Sequence, residues 1–524
     1  MILISSAAYI ENEFQSEFGR LPPTFLPVGN KRLFEAQIEN LKLTFNEDIF
    51  ISLPDDFILP IKDEIFFERK KIQIIRNPSD ISLGDSIFRS LIEMKPENRP
   101  FRILYGDTLL LDIPNRLDCI ATSETNFDYL WEIESSGQDN ELIWCGFFSF
   151  SKISLLQKYL IESKMDFIKS VKDYDLEMSI QHIKVFGWYD FGHVNTYFNN
   201  RKIMKTHRYF NKLEIKDGII IKSSKNKMKM NAEYEWFKEI PNELKIYTPN
   251  LLEYKNKSNE AEYSMEYLHI PGLNEIFVHG LKPVFAWKNI FNLCNNLLIK
   301  LSSYNFEKKI IDKIRKDSLF LLKNKTEDRL ADFFSRNYEI TINSELSLNG
   351  EKIGSIGEIL NDCLSKNDIK KIIPGYLHGD FCLSNIMFDS RSSRIKVIDP
   401  RALDYKNNFY LYGDLRYDIA KLTHSVVGLY DFIIAEAYQL DLDFSEKKIN
   451  FKFHIHADAR TIEIIECFKQ FKFIQFLKAK DVMHITILLF LSMLPLHNEN
   501  RKLQFALIAN ALRVYKEFFI VSEK

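Results

Sequence analysis

Residues 377–386 read LHGDFCLSNI, and residues 398–401 read IDPR at the end of an apolar stretch. Asp380 and Asn385 are five residues apart, and Asp399 follows Asn385 by fourteen. Phosphoryl transfer needs a carboxylate that accepts or orients a hydroxyl proton, together with oxygen ligands for Mg²⁺. A loop that carries Asp and Asn, followed by a strand that ends in Asp, lets three such oxygens converge. We therefore expect these three side chains to form one site.

This segment resembles the aminoglycoside phosphotransferase and choline kinase family, whose members are related to protein kinases. The resemblance covers roughly residues 205–515 and implies a bilobal fold with a helical C-terminal lobe. It implies that Asp380 is the catalytic base, that Asn385 and Asp399 are magnesium ligands, and that ATP is the donor. It also implies that His378 orients the loop and takes no part in the chemistry.

The region upstream fits the N-terminal lobe of such a kinase. Lys222 ends an apolar hairpin strand and is placed to reach the α- and β-phosphates of ATP. Glu233 or Glu235 on the next helix can pair with it, and we favour Glu233. Glu266 and Leu268 belong to the segment MEYL, which matches the hinge whose backbone binds adenine in this family.

Two further motifs in the C-terminal half are interpreted as structural. Residues 413–420 read GDLRYDIA, which matches a segment of the same family, and we expect Asp414 and Asp418 to brace loops and cap helices. His454 and His456 have the spacing of a metal-binding pair. Because no third ligand lies nearby in sequence, we do not expect a metal site there.

The first 200 residues alternate short apolar runs with amphipathic stretches. This alternation predicts a mostly parallel sheet with helices on both faces, and therefore an α/β fold. The predicted strands are Ile2–Ser5, Ile49–Ser52, Ile72–Ile75 and Arg102–Tyr105, and the predicted helices are Leu33–Leu43 and Ser86–Met94.

Four short motifs in this half, LGDS at 83–86, YGD at 105–107, WCGF at 144–147 and WYDFG at 188–192, occur in a recognisable order. In order and spacing they resemble the sugar-1-phosphate nucleotidyltransferase family, over residues 1–200. The resemblance implies a Rossmann-like domain of the GT-A type. It also implies that Asp107 and Asp190 hold Mg²⁺, which offsets the repulsion between a nucleoside triphosphate and the attacking phosphate.

The N-terminal half departs from that family in its phosphate-binding loop. Residues 5–14 read SSAAYIENEF and contain no glycine, and Pro23 stands where the family has a lysine. Arg20, Lys31 and Arg32 are candidate substitutes that could contact a triphosphate. Two interpretations of the N-terminal half follow. It is either an active nucleotidyltransferase or a domain that kept the fold but only binds a nucleotide.

The sequence pattern changes near residue 205, and this change predicts a domain boundary. We expect a nucleotidyltransferase-like domain over 1–205 and a kinase-like domain over 206–524, with an N-lobe of about 206–270 and a C-lobe of about 271–524. Lys216-Asp217-Gly218 predicts the turn of a hairpin that begins near residue 209. From about Ala286 the pattern predicts a largely helical lobe, with short strands at 376–399.

Composition limits the class of partner and the compartment. The chain has 524 residues, 70 basic and 72 acidic, so its net charge of −2 does not favour nucleic acid. Its six cysteines lack CxxC spacing, which disfavours zinc ribbons and disulfide scaffolds. The N-terminus has no signal-peptide pattern, and the most apolar run, Ile485–Leu494, is too short to cross a bilayer. We expect a cytoplasmic protein without a membrane span that acts on small molecules.

The two resemblances together suggest three functions. The first is a bifunctional enzyme of surface-polysaccharide precursor synthesis, which phosphorylates a sugar or small alcohol and then activates the product with CTP or another nucleotide. The second is a kinase whose N-terminal domain senses a nucleotide. The third is a non-catalytic scaffold in glycan assembly, which the retained Asp380, Asn385 and Asp399 disfavour.

Overall fold

The computed structural model describes residues 1–95, 99–125, 133–136, 141–201, 212–404, 406–445 and 448–520. The chain divides into two compact units, the first comprising Met1–Thr206 with His279–Leu281 and the second comprising His207–Val278 with Lys282–Lys524. The domain boundary predicted after residue 205 and the start of the hairpin near residue 209 lie outside the described residues. Among the described residues, no helix has both the length and the apolar character required to cross a bilayer.

The first unit is built from strands and helices that alternate along the chain. Its strands are β1 (Ile2–Ser5), β2 (Pro27–Val28), β3 (Lys31–Arg32), β4 (Ile49–Pro54), β5 (Gln73–Asn77), β6 (Phe101–Tyr105), β7 (Thr108–Leu110), β8 (Cys119–Thr125), β9 (Ile133–Ser136), β10 (Glu141–Phe150), β11 (Gln181–Lys184) and β12 (Trp188–Asp190). Its helices are α1 (Asn12–Phe18), α2 (Leu33–Thr44), α3 (Ile61–Lys70), α4 (Leu83–Met94), α5 (Ile153–Glu162), α6 (Phe167–Met178) and α7 (Val194–Asn200).

The main sheet of this unit has the strand order β11-β8-β10-β6-β1-β4-β5. Strands β6, β1, β4 and β5 are mutually parallel, and every residue of β4 is buried, as expected for a strand covered on both faces. The α/β prediction is confirmed. The sheet is more mixed than predicted, because β10 runs antiparallel to β6 and β8.

Two helix starts in this unit differ from the predictions. Helix α4 begins at Leu83, three residues earlier than expected, because the Ser82 side chain caps it by accepting a hydrogen bond from the Asp85 amide. Helix α1 begins inside the glycine-free stretch 5–14, for which no helix was predicted.

The second unit begins with a small antiparallel sheet and continues as a mainly helical body. Its strands are β13 (Lys212–Lys216), β14 (Ile219–Ser224), β15 (Leu251–Asn256), β16 (Ala261–Glu266), β17 (Glu345–Leu348), β18 (Glu351–Gly354), β19 (Pro374–Tyr376), β20 (Ile386–Asp389), β21 (Arg394–Val397), β22 (Tyr412–Asp414), β23 (Tyr438–Ser445) and β24 (Lys448–Ile455). Its helices are α8 (Lys227–Glu239), α9 (Leu273–Val278), α10 (Val284–Ser302), α11 (Lys308–Leu322), α12 (Asn324–Arg336), α13 (Ile356–Ser365), α14 (Arg416–Val426), α15 (Tyr430–Ile434), α16 (Ala459–Gln470), α17 (Met483–Ser492) and α18 (Arg501–Tyr515).

The sheet β13-β14-β16-β15 and helix α8 form the N-terminal part of this unit. The β13–β14 hairpin turns through Asp217 and Gly218, whose φ angles are 50° and 73°. Two consecutive positive φ values are those of a type I′ turn, which matches the right-handed twist of the strands. The predicted hairpin turn is therefore present, and it places Lys222 in the middle of the sheet.

The C-terminal part is helical as predicted, with helix α17 buried along its whole length. One element was not predicted. Strands β18, β17, β24 and β23 form a four-stranded sheet within this lobe. The prediction of short strands only at 376–399 was wrong for this region. Every second residue at 449–455 is buried, and this alternation is typical of a strand with one covered face.

Candidate functional site

A buried lysine connects the two lobes of the second unit. The ammonium Nζ of Lys222 lies 2.5 Å from Oε2 of Glu233 and 3.0 Å from Oδ1 of Asp399. Lys222 and Glu233 are only 2% and 1% exposed, and the Tyr263 hydroxyl donates to the same Glu233 oxygen at 2.9 Å. Glu235 pairs with Lys238 instead. The structure thus joins Lys222 to the glutamate that was favoured and to the Asp of the IDP motif.

Electrostatics keep this lysine charged. Burial opposes the charged form of Lys222, but the carboxylates of Asp399 and Glu233 outweigh it and raise the pKa of Lys222. Burial raises the pKa of Glu233, while the charge of Lys222 opposes that shift. A lysine whose charged form is stabilised beside Asp399 is suited to an anionic phosphate chain.

The loop 377–386 presents the Asp380 carboxylate between two donors. Asn385 Nδ2 donates to Asp380 Oδ2 at 2.9 Å and to the Asp380 main-chain oxygen at 3.0 Å. The ammonium of Lys421 lies 2.8 Å from Asp380 Oδ1. The carboxylate remains 38% exposed, so it is fixed in orientation yet open to a third group.

Sequence reasoning missed Lys421. It lies on α14, three residues after Asp418, and residues three apart share one face of a helix. Since Asp418 was expected to brace the loop, this spacing was a signal that Lys421 would face the same loop.

The loop is held from behind by buried groups. The two oxygens of Asp418 accept hydrogen bonds from the His378 and Gly379 amides at 2.9 and 2.8 Å. Burial raises the pKa of Asp418 to about 7, and these two amides oppose the shift. Gly379 has φ +77°, and a Cβ there would lie 2.9 Å from Cβ of Arg401, so glycine is required.

His378 and Asp414 have supporting geometry. His378 is buried, burial lowers its pKa to about 4, and its Nδ1 accepts from the Asp380 amide at 3.3 Å. Asp414 accepts from the Ile373 amide at 3.0 Å and from Arg416 Nε at 2.8 Å. A neutral histidine in this position orients the loop, which agrees with the role expected for it.

The donor set around Asn385 and Asp399 fits Mg²⁺. Asn385 Oδ1 is buried and has no hydrogen-bond partner among the described residues, because its amide nitrogen is the atom that Asp380 holds. Asp399 adopts φ +59°, a left-handed conformation that a side chain other than glycine rarely adopts. Amide and carboxylate oxygens are ligands that Mg²⁺ prefers. A divalent cation there would satisfy the orphaned amide oxygen.

The two predicted hinge residues differ in whether the backbone amide already donates a hydrogen bond. The Glu266 amide donates to the Asn250 carbonyl at 2.9 Å, inside the sheet. Leu268 lies beyond the end of β16, and no backbone hydrogen bond within the described ranges engages its amide. Of the two residues expected to contact adenine, Leu268 has the available donor.

In the first unit, Asp107 and Asp190 face the same space. Strands β7 and β12 are antiparallel neighbours with Thr108 opposite Asp190. A Cβ on Gly192 would lie 2.6 Å from Asp107 Oδ2 and 3.2 Å from Asp190 Oδ1, so both carboxylates converge on this glycine. Burial and the charge of Asp190 raise the pKa of Asp107 to about 6. The charge of His193 only partly opposes this shift, and a divalent cation would offset the remaining negative charge of the pair.

His193 extends this acidic pair. Its Nδ1 lies 2.8 Å from Asp190 Oδ2, and this contact raises the pKa of His193. The charges of Asp107 and Glu11 act in the same direction. Glu11 belongs to the stretch that replaces the glycine-rich loop, so its charge adds to a negative field at the site where a triphosphate would bind.

The basic residues expected to contact a triphosphate are engaged elsewhere. Arg20 pairs with Asp56 at 2.7 Å, and Lys31 pairs with Glu39 at 3.3 Å. Both cations are exposed, and within the described ranges no hydrogen bond or ion pair joins either of them to the carboxylate pair. Their contact with a triphosphate stays a prediction. Pro23 begins a short 3₁₀ turn and offers no charge.

The third candidate substitute is unavailable. The Arg32 guanidinium is 1% exposed and pairs with the buried Asp63 at 2.9 Å. A buried, paired arginine cannot turn toward a ligand without breaking that pair. The interpretation of Arg32 as a triphosphate contact is therefore wrong.

No protein-family model matches the chain, and no curated protein is significantly similar to it. Among solved structures, a nucleoside-diphosphate-sugar pyrophosphorylase from Vibrio cholerae is similar over 38% of this chain and 100% of its own, with 14% identity and a TM-score of 0.31. A thermostable mutant of an aminoglycoside phosphotransferase is similar over 61% of this chain and 98% of its own, with 9% identity and a TM-score of 0.36. An aminoglycoside-3'-phosphotransferase of type VIII covers 44% of this chain and 83% of its own, with 15% identity and a TM-score of 0.28. These are the two kinds of protein that the sequence motifs resemble.

Proposed function

We propose that this chain is a bifunctional transferase. Its second unit transfers the γ-phosphoryl group of ATP to a sugar or small alcohol, and its first unit transfers a nucleotidyl group to the phosphorylated product. The observation that carries the proposal is the buried Lys222, held between Glu233 and Asp399, facing a loop that fixes Asp380 and Asn385.

Each group has a role that follows from its surroundings. Lys222 would neutralise phosphate oxygens, and Asn385 and Asp399 would hold Mg²⁺, which offsets the negative charge of the phosphate chain when bound. Asp380, whose two oxygens are oriented by Asn385 and Lys421, would accept the hydroxyl proton of the acceptor. Leu268 would donate a backbone hydrogen bond to adenine.

The first unit supports two versions of the proposal. Asp107 and Asp190 converge as a metal pair for nucleotidyl transfer requires, which favours activity with CTP or another nucleoside triphosphate. The engaged Arg20 and Lys31 and the nearby Glu11 favour a domain that only senses a nucleotide. A role as a scaffold in glycan assembly is the third candidate, and the grouping of Lys222, Glu233 and Asp399 disfavours it.

The place of the enzyme in surface-polysaccharide precursor synthesis rests on the order of the two reactions. A kinase product with a new phosphate is the substrate that a sugar-1-phosphate type of nucleotidyltransferase would consume, so the fusion would join consecutive steps. We further propose that the protein acts in the cytoplasm, because all six cysteines are free. Cell fractionation tests that compartment.

A coupled screen tests the function. The purified full-length protein, with Mg²⁺, is tested for ATP consumption and for CTP consumption against a panel of monosaccharides and amino alcohols. Consumption of both nucleotides supports the bifunctional enzyme, and consumption of ATP alone supports the sensing version. If neither nucleotide is consumed with any acceptor and Mg·ATP does not bind, the scaffold is the remaining candidate.

A further inference from the structure

Helix α8 contacts the candidate kinase site at two points along its length. The carboxylate of Glu233 holds Lys222, whose ammonium also lies 3.0 Å from Asp399. Three residues after Glu233, the indole Nε1 of Trp236 donates a hydrogen bond to the Leu377 carbonyl at 2.9 Å. Residues three apart lie on the same face of a helix, so one side of α8 makes both contacts.

Trp236 joins α8 to the start of the loop 377–386. Its side chain is 2% exposed, so its one N–H group needs an acceptor inside the protein, and that acceptor is the carbonyl of the residue directly before His378. The indole also meets the His378 imidazole edge-on, with ring centres 5.6 Å apart and planes at 79°. The ring of Phe381 packs on the same imidazole at 5.9 Å. The imidazole is therefore held by aromatic rings from two elements, and Trp236 is the one that comes from α8.

His378 carries this contact to Asp380. The Asp380 amide donates to His378 Nδ1 at 3.3 Å, so the position of the imidazole helps to set the backbone from which the Asp380 carboxylate extends. The His378 carbonyl also accepts from the Arg401 amide at 2.8 Å, which ties the loop to the segment after the IDP motif. A displacement of about 1 Å at a reacting group can lower a rate by about 10²-fold. Contacts that fix His378 therefore bear on the chemistry expected of Asp380.

We propose that Trp236 is a positioning residue for phosphoryl transfer, which transmits the position of α8 to the loop that carries Asp380. The inference rests on the proposed kinase function, to which it adds a link between nucleotide binding and the orientation of the proton acceptor. A phosphate bound at Lys222 would fix Glu233 and with it α8, and Trp236 would then hold the loop backbone in place. Trp236 acts through His378 and not on the reacting atoms.

Two variants on the same helix separate this role from a general loss of packing. Trp236→Phe removes the N–H group and keeps an aromatic ring at the same position. Tyr234→Leu is the matched control, because the Tyr234 ring packs on Tyr254 of strand β15, with ring centres 5.0 Å apart. Tyr234 lies two residues before Trp236, and residues two apart do not share a helix face. Both variants remove a contact of α8, so Tm is measured for both, and each is assayed well below its own Tm.

Hydrogen exchange reports on the loop without turnover. It is measured by mass spectrometry on the full-length protein without nucleotide, and local opening of the loop sets the rate. Peptides covering 377–386 should exchange at least tenfold faster in Trp236→Phe than in the wild type, and within twofold of the wild type in Tyr234→Leu. Glu233→Gln should also speed exchange of these peptides, but should add nothing in the Trp236→Phe background, because the link is already broken there.

Kinetics then tests the consequence for phosphoryl transfer. ATP consumption is measured with the best acceptor from the coupled screen. Trp236→Phe should lower kcat at least tenfold while KM for Mg·ATP stays within threefold, because Lys222 and Glu233 remain paired. Tyr234→Leu should leave kcat within twofold of the wild-type value.

The outcomes separate this inference from the proposed function. Unchanged exchange of the 377–386 peptides in Trp236→Phe, an equal increase in Tyr234→Leu, or an equal effect of Glu233→Gln in both backgrounds overturns the inference whether or not the protein is a kinase. Faster exchange in Trp236→Phe with an unchanged kcat also overturns it, and leaves the kinase standing. Faster exchange specific to Trp236→Phe, in a protein whose wild type consumes no ATP with any acceptor, supports the link between α8 and the loop and contradicts the kinase.

Discussion

Replacement of Asp380 by asparagine changes the charge of the reactive loop while keeping its shape. In the wild-type protein each carboxylate oxygen of Asp380 accepts from a different donor, one from Asn385 and one from Lys421. The amide has only one acceptor oxygen, so its NH₂ group must face one of these donors, and one hydrogen bond is lost. The amide also cannot accept the acceptor's proton.

We expect phosphoryl transfer to fall by about 10²-fold or more in Asp380→Asn, which corresponds to about 2.7 kcal/mol of barrier. The effect on folding should be smaller. Asp380 is 38% exposed, so the lost pairing with Lys421 should cost about 1 kcal/mol or less, against a total stability of about 5–15 kcal/mol for a typical protein. The protein should therefore remain folded and bind Mg·ATP.

The assay is coupled ATP consumption with the best acceptor, and nucleotide binding is measured by calorimetry on the same preparation. Asp441→Asn, at an exposed position on β23, is the matched control and should leave both values unchanged. Near-wild-type turnover in Asp380→Asn would refute the assignment of the loop. If Asp380→Asn lost both turnover and nucleotide binding, the assignment of proton acceptance to Asp380 and of metal–nucleotide binding to Asp399 would be refuted.

Four further predictions concern the metal sites, the ion pair and the cysteines. Asp399→Ala should weaken Mg·ATP binding at least tenfold by calorimetry, since it removes a carboxylate ligand and a partner of Lys222; unchanged affinity would contradict this. Glu233→Gln should lower kcat/KM for ATP at least tenfold and Glu235→Gln less than twofold, because only Glu233 contacts Lys222; equal effects would contradict the pairing. In the Asp399→Ala background, affinity for Mn²⁺ should fall as the pH drops through about 6, because Asp107 then takes up a proton that competes with the metal. Adding Asp107→Asn should remove this pH dependence. A pH-independent Mn²⁺ affinity while Asp107 is present would contradict a metal site there. The protein should migrate identically on reducing and non-reducing gels, because all six cysteines are free, and a shifted band would contradict this.

Much of the fold was predictable because its strands are either fully apolar or end at residues that favour a turn. The run at Ile49–Pro54 is buried on both faces, and Asp217-Gly218 makes a turn that few other sequences favour. The sheet β18-β17-β24-β23 was not predicted. In β24 apolar residues alternate with polar ones in a region dominated by helical patterns, and the partner strand β17 lies about a hundred residues away, so local sequence carries no sign of the pairing.

The candidate sites divide in the same way. Asp380, Asn385 and Asp399 lie in short motifs, and Lys222 and Glu233 come from consecutive elements, so spacing was enough to group them. Lys421 lies just after the segment 413–420 and was given no role from the sequence, and only the packing of α14 brings its ammonium to Asp380. Arg32 was misjudged because its partner Asp63 lies on another helix, and sequence does not reveal that ion pair.

The left-handed backbone at Asp399 limits which residues evolution can place there. Asp399 has φ +59°, and its carboxylate lies 3.0 Å from the Lys222 ammonium; aspartate adopts this conformation more readily than most residues. Asparagine and glycine tolerate this conformation, whereas β-branched residues do not. If the proposed phosphotransferase activity were lost in a descendant of this protein, position 399 should therefore change first to asparagine or glycine, and the strand β21 before it should remain in place.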